Sequence, residues 1–298
     1  METPAAYLNG DWVDGSRLSV DVNDLGFLLG ATATERLRTF RGQVFRLEQH
    51  LARMRRSLEM LDLDADDVLS QVAVAVAEVV ARNRTLLDAD DDWAVSAFAT
   101  PGVAGVGRPT VCVHAFPLPF HQWADVYERG LPIVVSRIRQ VPPSCWPPEL
   151  KCRSRIHYYL ADLQAAAHES GARAVLLDQE GNVGEATTAN VILFRESEGL
   201  ISPPGEHILF GVSLGVVREL AGRLGVPFVE RHVSVDELQS ADEVMLASTS
   251  VCLLPVIRCD GRPVGAGVPG PMHGRLLAAW SDLVGLDIAA QARRFAER

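Results

Sequence analysis

A stretch rich in proline and aromatic residues, at positions 117–125, interrupts the 298-residue chain and limits its possible folds more than any other feature. Before it, hydrophobic periodicity predicts a hairpin at 35–47, helices at 47–61 and 67–82, and strands at 93–99 and 110–116. After it, the pattern predicts strands at 131–141, 174–178, 190–194 and 243–247, and helices at 154–170, 213–224 and 274–284, with a short helix opened by a capping box at 234–237. We therefore expect an α+β protein with a small N-terminal domain (1–118), a connector (119–130) and a larger C-terminal domain (131–298).

Composition narrows the class of protein. Hydrophobic residues make up 48% of the chain, enough for a sizeable core. No apolar run reaches the roughly 18 residues of a membrane span, and the first residues show no signal-peptide pattern. The net charge of −10 argues against a nucleic-acid partner. Five cysteines without a CxxC pair favour a reducing compartment over disulfides or zinc. We expect a cytoplasmic protein with no metal, membrane or nucleic-acid partner.

Lysine is almost absent from the chain. Lys151 is the single lysine among 28 lysine and arginine residues. Arginine can serve surface and ion-pair roles, but it cannot lose its proton and become a nucleophilic amine. Lys151 is therefore the candidate for imine chemistry, and an arginine-biased composition is the alternative explanation.

Three further features after the connector could bind a single ligand together with Lys151. Glu185 follows a turn between two hydrophobic strands, where a carboxylate could hold a ring nitrogen protonated. Residues 211–213 open a helix whose free N–H groups and positive dipole end suit a phosphate, and residues 248–250 add hydroxyl donors. An amine, a carboxylate and a phosphate cradle are the requirements of pyridoxal 5′-phosphate (PLP). Taken singly, these features also read as a turn residue, a helix N-cap and polar strand-end residues.

With these residues the chain resembles a known family, the class IV (fold-type IV) PLP enzymes. This family includes branched-chain aminotransferase, D-amino-acid aminotransferase and aminodeoxychorismate lyase. The similar N-terminal positions are 8–10, 24–27, Gly30, 35–38, Gly42, Phe45 and 50–53, and those of the second half are Lys151, Glu185, 211–213 and Thr249. The resemblance implies a smaller N-terminal α/β domain and a larger C-terminal domain with a barrel-like sheet.

The resemblance also implies roles for individual residues. Lys151 is the catalytic residue, which would carry the cofactor as an aldimine, and Glu185 would keep the pyridine nitrogen protonated. The cofactor-binding residues that it implies are Arg53, Glu185, Val212, Ser213, Thr249, Thr188 and Tyr159. The family places its cofactor between the two domains and forms homodimers, so we expect a homodimer.

The substrate side departs from the family pattern. Thr34 replaces the usual aromatic residue, residues 99–102 lack the arginine of a Thr-Arg-Gly element, and Ile156 replaces the tyrosine of branched-chain enzymes. Candidate substrate-binding residues are Thr34, Arg38, Arg153, Arg155 and Ser250. The resemblance implies a branched-chain-like aminotransferase acting on an amino acid and a 2-oxo acid. The alternatives are an aminodeoxychorismate lyase, which eliminates pyruvate, and a non-catalytic PLP-binding protein.

Overall fold

The computed structural model describes residues 3–298, which cluster into two compact units. The first unit comprises the chain up to Leu118 together with Leu150–Ser154, and the second comprises Pro119–Glu149 and Arg155–Arg298. The five residues around Lys151 thus cluster with the first unit. The domain boundaries expected from the sequence stay a prediction.

The first unit is built on a six-stranded antiparallel sheet. Its strands are β1 Ala5–Leu8, β2 Asp11–Asp14, β3 Ala33–Phe40, β4 Gln43–Val44, β5 Trp93–Thr100 and β6 Thr110–Pro117, and its helices are α1 Leu25–Leu28, α2 Leu47–Met60 and α3 Ala65–Asn83. The strands follow the order β2-β1-β6-β5-β3-β4 across the sheet. The predicted helices at 47–61 and 67–82 are therefore present as α2 and α3.

Helices α2 and α3 cover one face of this sheet and form its core. Leu37 of β3, Leu58 of α2 and Val76 of α3 are fully buried together in one hydrophobic cluster. Side chains alternate along a strand, so Thr34 and Arg36, which flank the core-facing position 35, lie on the opposite face. Thr34 and Arg36 thus lie on the face of β3 that α2 and α3 do not cover.

The second unit contains the remaining nine strands. They are β7 Leu131–Val135, β8 Arg173–Leu177, β9 Val183–Ala186, β10 Ala189–Arg195, β11 Gly199–Ser202, β12 Phe228–Glu230, β13 Glu243–Ser248, β14 Cys252–Cys259 and β15 Arg262–Pro263. The helices are α4 Val126–Arg129, α5 Ile156–His168, α6 Val212–Arg223, α7 Val235–Gln239, α8 Pro271–Val284 and α9 Ile288–Arg294. The capping box predicted at 234–237 is present, with the Ser234 and Glu237 side chains each bonded to the other's backbone.

Six strands of this unit close into a ring. The sheet runs β12-β11-β10-β13-β14-β7-β8-β9, and an additional pairing joins β9 back to β10. The strands β10, β13, β14, β7, β8 and β9 therefore form a closed barrel-like sheet. This confirms the α+β fold class and the barrel-like sheet predicted for the C-terminal half.

One strand prediction in this unit was wrong, and several strands, β14 among them, were not predicted. The strand expected at 131–141 ends at Val135, because the Ser136 hydroxyl accepts a hydrogen bond from the Ile138 N–H (3.0 Å) and turns the chain. Strand β14 was not predicted, because it contains Pro255, and proline normally excludes a residue from a central strand. Pairing on both sides within the barrel overrides this local preference.

Within residues 3–298, no helix combines the length and the apolar character needed to cross a membrane. The same part of the chain holds no group of three or more His, Cys, Asp or Glu side chains placed to bind a metal ion.

Candidate active site

Lys151 lies in a short segment that is fixed to the first unit by its backbone. The Lys151 N–H donates to the Ser57 hydroxyl of α2 (3.1 Å), and the Thr34 N–H of β3 donates to the Lys151 carbonyl (3.0 Å). The Lys151 side chain is half-buried. Strand β3 and helix α2 therefore fix the backbone of Lys151, while its side chain remains partly exposed to solvent.

A buried ionic cluster lies beside this segment. Glu35, on the helix-facing side of β3, pairs with Arg53 of α2 at two points, Nε to Oε1 and Nη2 to Oε2, both 2.7 Å. The Nδ1 atom of His50 lies 2.7 Å from Glu35 Oε2. All three side chains are buried. Arg53 is thus held in a fixed position inside the unit, which is what a ligand-binding residue requires.

The cluster has a definite charge state at neutral pH. Burial raises the pKa of Glu35, but the charge and hydrogen bonds of Arg53 and the bond from His50 outweigh it and hold that pKa far below its usual range. Burial lowers the pKa of His50, and the positive charges of Arg53 and Lys151 lower it further. The hydrogen bond and the negative charge of Glu35 raise this pKa, but the net shift is downward. Glu35 is therefore an anion, and the neutral form of His50 is favoured.

In the second unit, Glu185 of β9 is buried and held by neutral groups. Its Oε1 accepts hydrogen bonds from the Tyr158 hydroxyl (2.5 Å) and from Gln140 Nε2 (3.2 Å). Burial, followed by the charge of Glu185 and the hydrogen bond to it, raises the pKa of Tyr158 well above its usual 10, so the phenol remains a donor. Tyr159, the residue named from the sequence, is 61% exposed. The tyrosine that contacts the Glu185 carboxylate is the adjacent residue, Tyr158.

Asn190 of β10 links Glu185 to the start of α6. In the sheet it pairs with Glu185 of β9 on one side and with Ala247 of β13 on the other. Its Oδ1 accepts a hydrogen bond from the Gly211 N–H (3.1 Å), and its Nδ2 donates to the Leu209 carbonyl (2.9 Å). The Asn190 side chain thus holds the residues that precede α6 next to β9, the strand that carries Glu185.

The first turn of α6 presents backbone donors. Gly211 is its N-cap and makes no side-chain capping bond, so the first N–H groups of the helix, at Val212 and Ser213, have no partner within the helix. A Cβ atom on Gly211 would lie 2.3 Å from Asn190 Oδ1, which explains the glycine. An uncapped helix start with a positive dipole end is suited to an anion.

Two turns lie at the ends of the strands around Asn190. Thr188 joins β9 to β10 and has a φ of +71°, a conformation that β-branched residues rarely adopt. Thr249 and Ser250 follow β13 and are half-buried. Backbone strain of this kind persists only where the surrounding structure imposes it, and it is concentrated at functional sites.

The substrate-binding candidates lie in both units. In the first, Thr34 is buried, Arg38 is buried with its guanidinium carbon 4.0 Å from the centre of the Phe40 ring, and Arg153 is exposed. In the second, Arg155 is half-buried and immediately precedes α5.

The structure brings the predicted residues together in two groups. In the first unit, Thr34 and Ser57 hold Lys151, and Ser57 lies one turn beyond Arg53 on α2. In the second, Asn190 connects Glu185 with the start of α6.

Sequence reasoning missed several supporting residues. His50 and Asn190 stood within the quoted motifs, so a signal for them existed. Ser57, Gln140 and Tyr158 contact the predicted residues only through the fold, and no spacing in the sequence indicated their partners.

Comparisons with known proteins identify the family of this chain. The family model of class IV amino-transferases matches residues 32–259. The D-alanine aminotransferase of Staphylococcus aureus (strain COL) is 29% identical over 281 residues, covering 91% of this chain and 94% of that protein. A Methanocaldococcus jannaschii protein, provisionally named a branched-chain-amino-acid aminotransferase, is 28% identical over 284 residues, covering 93% of this chain and 95% of that protein.

A solved structure shows the same fold. The T.th. branched-chain amino acid aminotransferase with pyridoxamine 5′-phosphate superposes with a TM-score of 0.84 at 23% identity, over 96% of this chain and 95% of that one. The chain belongs to the class IV aminotransferase family, which confirms the resemblance found in the sequence.

Proposed function

We propose that this chain is a PLP-dependent aminotransferase that transfers an amino group between an amino acid and a 2-oxo acid, with Lys151 as the residue that binds the coenzyme aldehyde. The observation that carries the proposal is Lys151 itself. It is the single lysine of a class IV aminotransferase, and its N–H and carbonyl are both fixed by neighbouring elements. When bound, PLP supplies an electron sink for the substrate's α-carbon.

The second unit has a donor set that fits this coenzyme. The N–H groups of Val212 and Ser213 at the start of α6 suit its phosphate. Glu185 suits a protonated ring nitrogen, because Tyr158 and Gln140 orient the carboxylate without contributing a positive charge. The related T.th. enzyme was solved with pyridoxamine 5′-phosphate, which supports the same assignment here.

We also propose Arg53 as a phosphate-binding residue. Glu35 accepts hydrogen bonds from its Nε and Nη2 atoms, so the ion pair fixes the position of the guanidinium. We propose further cofactor contacts from Thr249 and Thr188.

The reaction assigns separate tasks to these side chains. The Nζ atom of Lys151 accepts the proton that leaves the substrate's α-carbon and then donates it to the carbon on the other side of the reacting nitrogen. Glu185 keeps a positive charge at the ring nitrogen, which stabilises negative charge developing at the α-carbon. Thr34 holds the backbone of Lys151 and thereby limits where its amine can reach.

The proposed substrate class is branched-chain-like amino acids and their 2-oxo acids. A D-amino acid is the second candidate, because the Staphylococcus aureus relative is a D-alanine aminotransferase. Absorbance of the bound coenzyme, followed while L- and D-amino donors are added one at a time, separates the two.

The test of the proposal is Lys151→Arg, which keeps the positive charge but removes the nucleophilic amine. We expect normal folding, no borohydride-reducible adduct at position 151, and a turnover at least about 10³-fold lower. Arg84→Lys, on an exposed residue of the first unit, is the control and keeps wild-type turnover. Full turnover by the Lys151→Arg variant contradicts the proposal.

The remaining alternatives predict other results. A lyase releases pyruvate from aminodeoxychorismate without needing a 2-oxo acid. A non-catalytic binding protein forms the adduct and turns over no donor.

We also propose a homodimer. Helix α5 carries an exposed apolar stripe at Ile156, Tyr159, Leu160 and Leu163, with the spacing of one helical face. A second copy that covers the stripe would remove it from water. Leu163→Glu is expected to shift the protein toward the monomer in sedimentation velocity, and an unchanged sedimentation coefficient speaks against this surface.

The free state of all five cysteines supports a cytoplasmic location, which cell fractionation checks.

A further inference from the structure

The face of the first unit's sheet that lies opposite α2 and α3 carries clustered cations. Its central row consists of Arg36 on β3, Ser96 on β5 and His114 on β6, which are direct cross-strand partners. Side chains at such positions share a face and lie about 5 Å apart at Cβ. Arg153 joins the row, since its Nη2 donates to the Ser96 hydroxyl (3.2 Å). Arg36, Arg153 and His114 thus share one face of the sheet with Ser96.

Aromatic rings fix both guanidinium groups. The Cζ of Arg36 lies 4.5 Å from the centre of the Phe116 ring, and that of Arg153 lies 4.9 Å from the centre of the Phe98 ring. The His114 ring is stacked on Phe116, with 5.9 Å between centres. A ring face attracts a guanidinium and restricts its motion, so binding a ligand costs less conformational entropy.

The charge on this face contrasts with that of the whole chain. The alternate residues 34–38, 94–98 and 112–116 that form it include no Asp or Glu, although the net charge of the protein is −10. Burial, and then the charges of Arg36 and Arg153, lower the pKa of His114 to about 4. His114 is therefore neutral at pH 7, and the two arginines provide the positive potential.

This face is close to the lysine segment along two paths. Thr34, whose N–H donates to the Lys151 carbonyl, stands two residues before Arg36 on the same face of β3, about 7 Å away along a strand. Arg153 follows Lys151 by two residues. A small amino acid is long enough to span such a distance.

We propose that Arg36 and Arg153 bind a carboxylate of the substrate on this face, and that Ser96 and His114 hold them in place. The inference rests on the proposed function and names the group that the substrate side recognises. A guanidinium fork matches a carboxylate at two points, which a hydroxyl or an amide cannot do equally well. The carboxylate is either the one beside the reacting carbon or a second one on an acidic side chain.

The test titrates the PLP-loaded protein with three unreactive probes in a calorimeter. Pentanoate has one carboxylate, glutarate has two, and pentanamide is an uncharged relative of pentanoate. We expect the wild type to bind the carboxylates and to bind pentanamide at least about 10-fold more weakly.

Three variants assign the effect to this face. Arg153→Gln removes an exposed group and leaves the core unaltered, and Arg36→Gln removes the second guanidinium. Each is expected to weaken carboxylate binding by about 10- to 100-fold. Arg82→Gln is the matched control, because Arg82 also stacks on an aromatic ring, that of Trp12 at 4.3 Å, but on helix α3; it should bind all probes like the wild type. Circular dichroism verifies that each variant is folded.

The pattern across probes identifies the carboxylate. Equal losses for pentanoate and glutarate indicate the carboxylate beside the reacting carbon, whereas a loss confined to glutarate indicates a side-chain carboxylate. Wild-type affinity in both folded glutamine variants overturns the inference, as does wild-type protein that does not distinguish pentanoate from pentanamide. PLP uptake is measured on the same samples: failure of uptake contradicts the proposed function, while the titration still reports on the sheet face.

Discussion

Glu35 in the first unit and Glu185 in the second are both buried carboxylates on strands, with exposed fractions of 2% and 8%, yet they are held in opposite ways. Arg53, a permanent cation, grips Glu35 at two points. Glu185 receives its hydrogen bonds from the neutral groups of Tyr158 and Gln140. The first arrangement pairs a buried carboxylate with a cation, and the second provides a buried carboxylate with hydrogen bonds from neutral donors.

This difference separates a positioning role from a ligand-binding role. A buried carboxylate paired with its own cation fixes that cation, here Arg53, and its removal leaves an uncompensated charge. Neutral donors orient a buried carboxylate without themselves supplying a positive charge, which suits a carboxylate that binds a protonated ring nitrogen. We therefore expect Glu35 to matter most for stability and Glu185 most for turnover.

The largest expected effect on stability is that of Glu35→Gln. Breaking a buried ion pair leaves Arg53 charged and poorly compensated, so the free energy of unfolding should fall by about 3–5 kcal/mol. Urea denaturation measures this loss. Glu78→Gln is the matched control, because Glu78 pairs with Arg82 on the exposed side of α3 and its removal should cost about 0.5 kcal/mol or less. Similar losses in the two variants contradict a structural role for the buried pair.

Glu185→Gln should show the reverse behaviour. Glutamine keeps the shape and can still accept from Tyr158 and Gln140, so stability should change by less than about 1 kcal/mol. Turnover should fall by about 10- to 100-fold, since a hydrogen bond to a charged group is lost. Single-turnover kinetics and urea denaturation on one preparation give both numbers. The comparison fails if this variant loses more stability than Glu35→Gln.

The smallest effects are expected in the pH dependence of stability, which should differ between the two regions. The pKa of Glu35 is lowered on folding, so its stabilisation is complete above its unfolded value of 4.5 and is lost as the pH falls below it, by up to about 1.4 kcal/mol per pH unit. The pKa of Tyr158 is raised above 10, so its contribution is complete below pH 10 and is lost as the pH rises further. Urea denaturation from pH 3 to 11 should show an acid limb that Glu35→Gln weakens and an alkaline limb that Tyr158→Phe weakens. An acid limb unaltered by Glu35→Gln contradicts this assignment.

Much of the fold could be predicted from local patterns. Helices α2 and α3 have the hydrophobic spacing of one helical face, and the Ser234 capping box is a local signal, so both were found. Strand β14 was missed, since Pro255 sits in a strand that only the pairings of the barrel make favourable. Strand 131–141 was overextended, since Ser136 turns the chain with its own side chain.

The candidate site divides along the same line. Lys151 and Glu185 were found because few residue types can perform their chemistry, and their types are visible in the sequence. The sequence alone does not choose between Tyr158 and Tyr159, because adjacent residues on a helix point about 100° apart and only the fold shows that Tyr158 contacts the carboxylate.

By itself, the sequence determined the family, the α+β class and the one amine able to form an imine, because these depend on residue type and order. Only the tertiary structure decided that Asn190 joins the carboxylate strand to the helix start, and that Ser96 has Arg36 as its cross-strand partner and a hydrogen bond from Arg153. Those contacts join residues at least 21 positions apart in the chain, and such separations are closed by the tertiary fold rather than by any local preference.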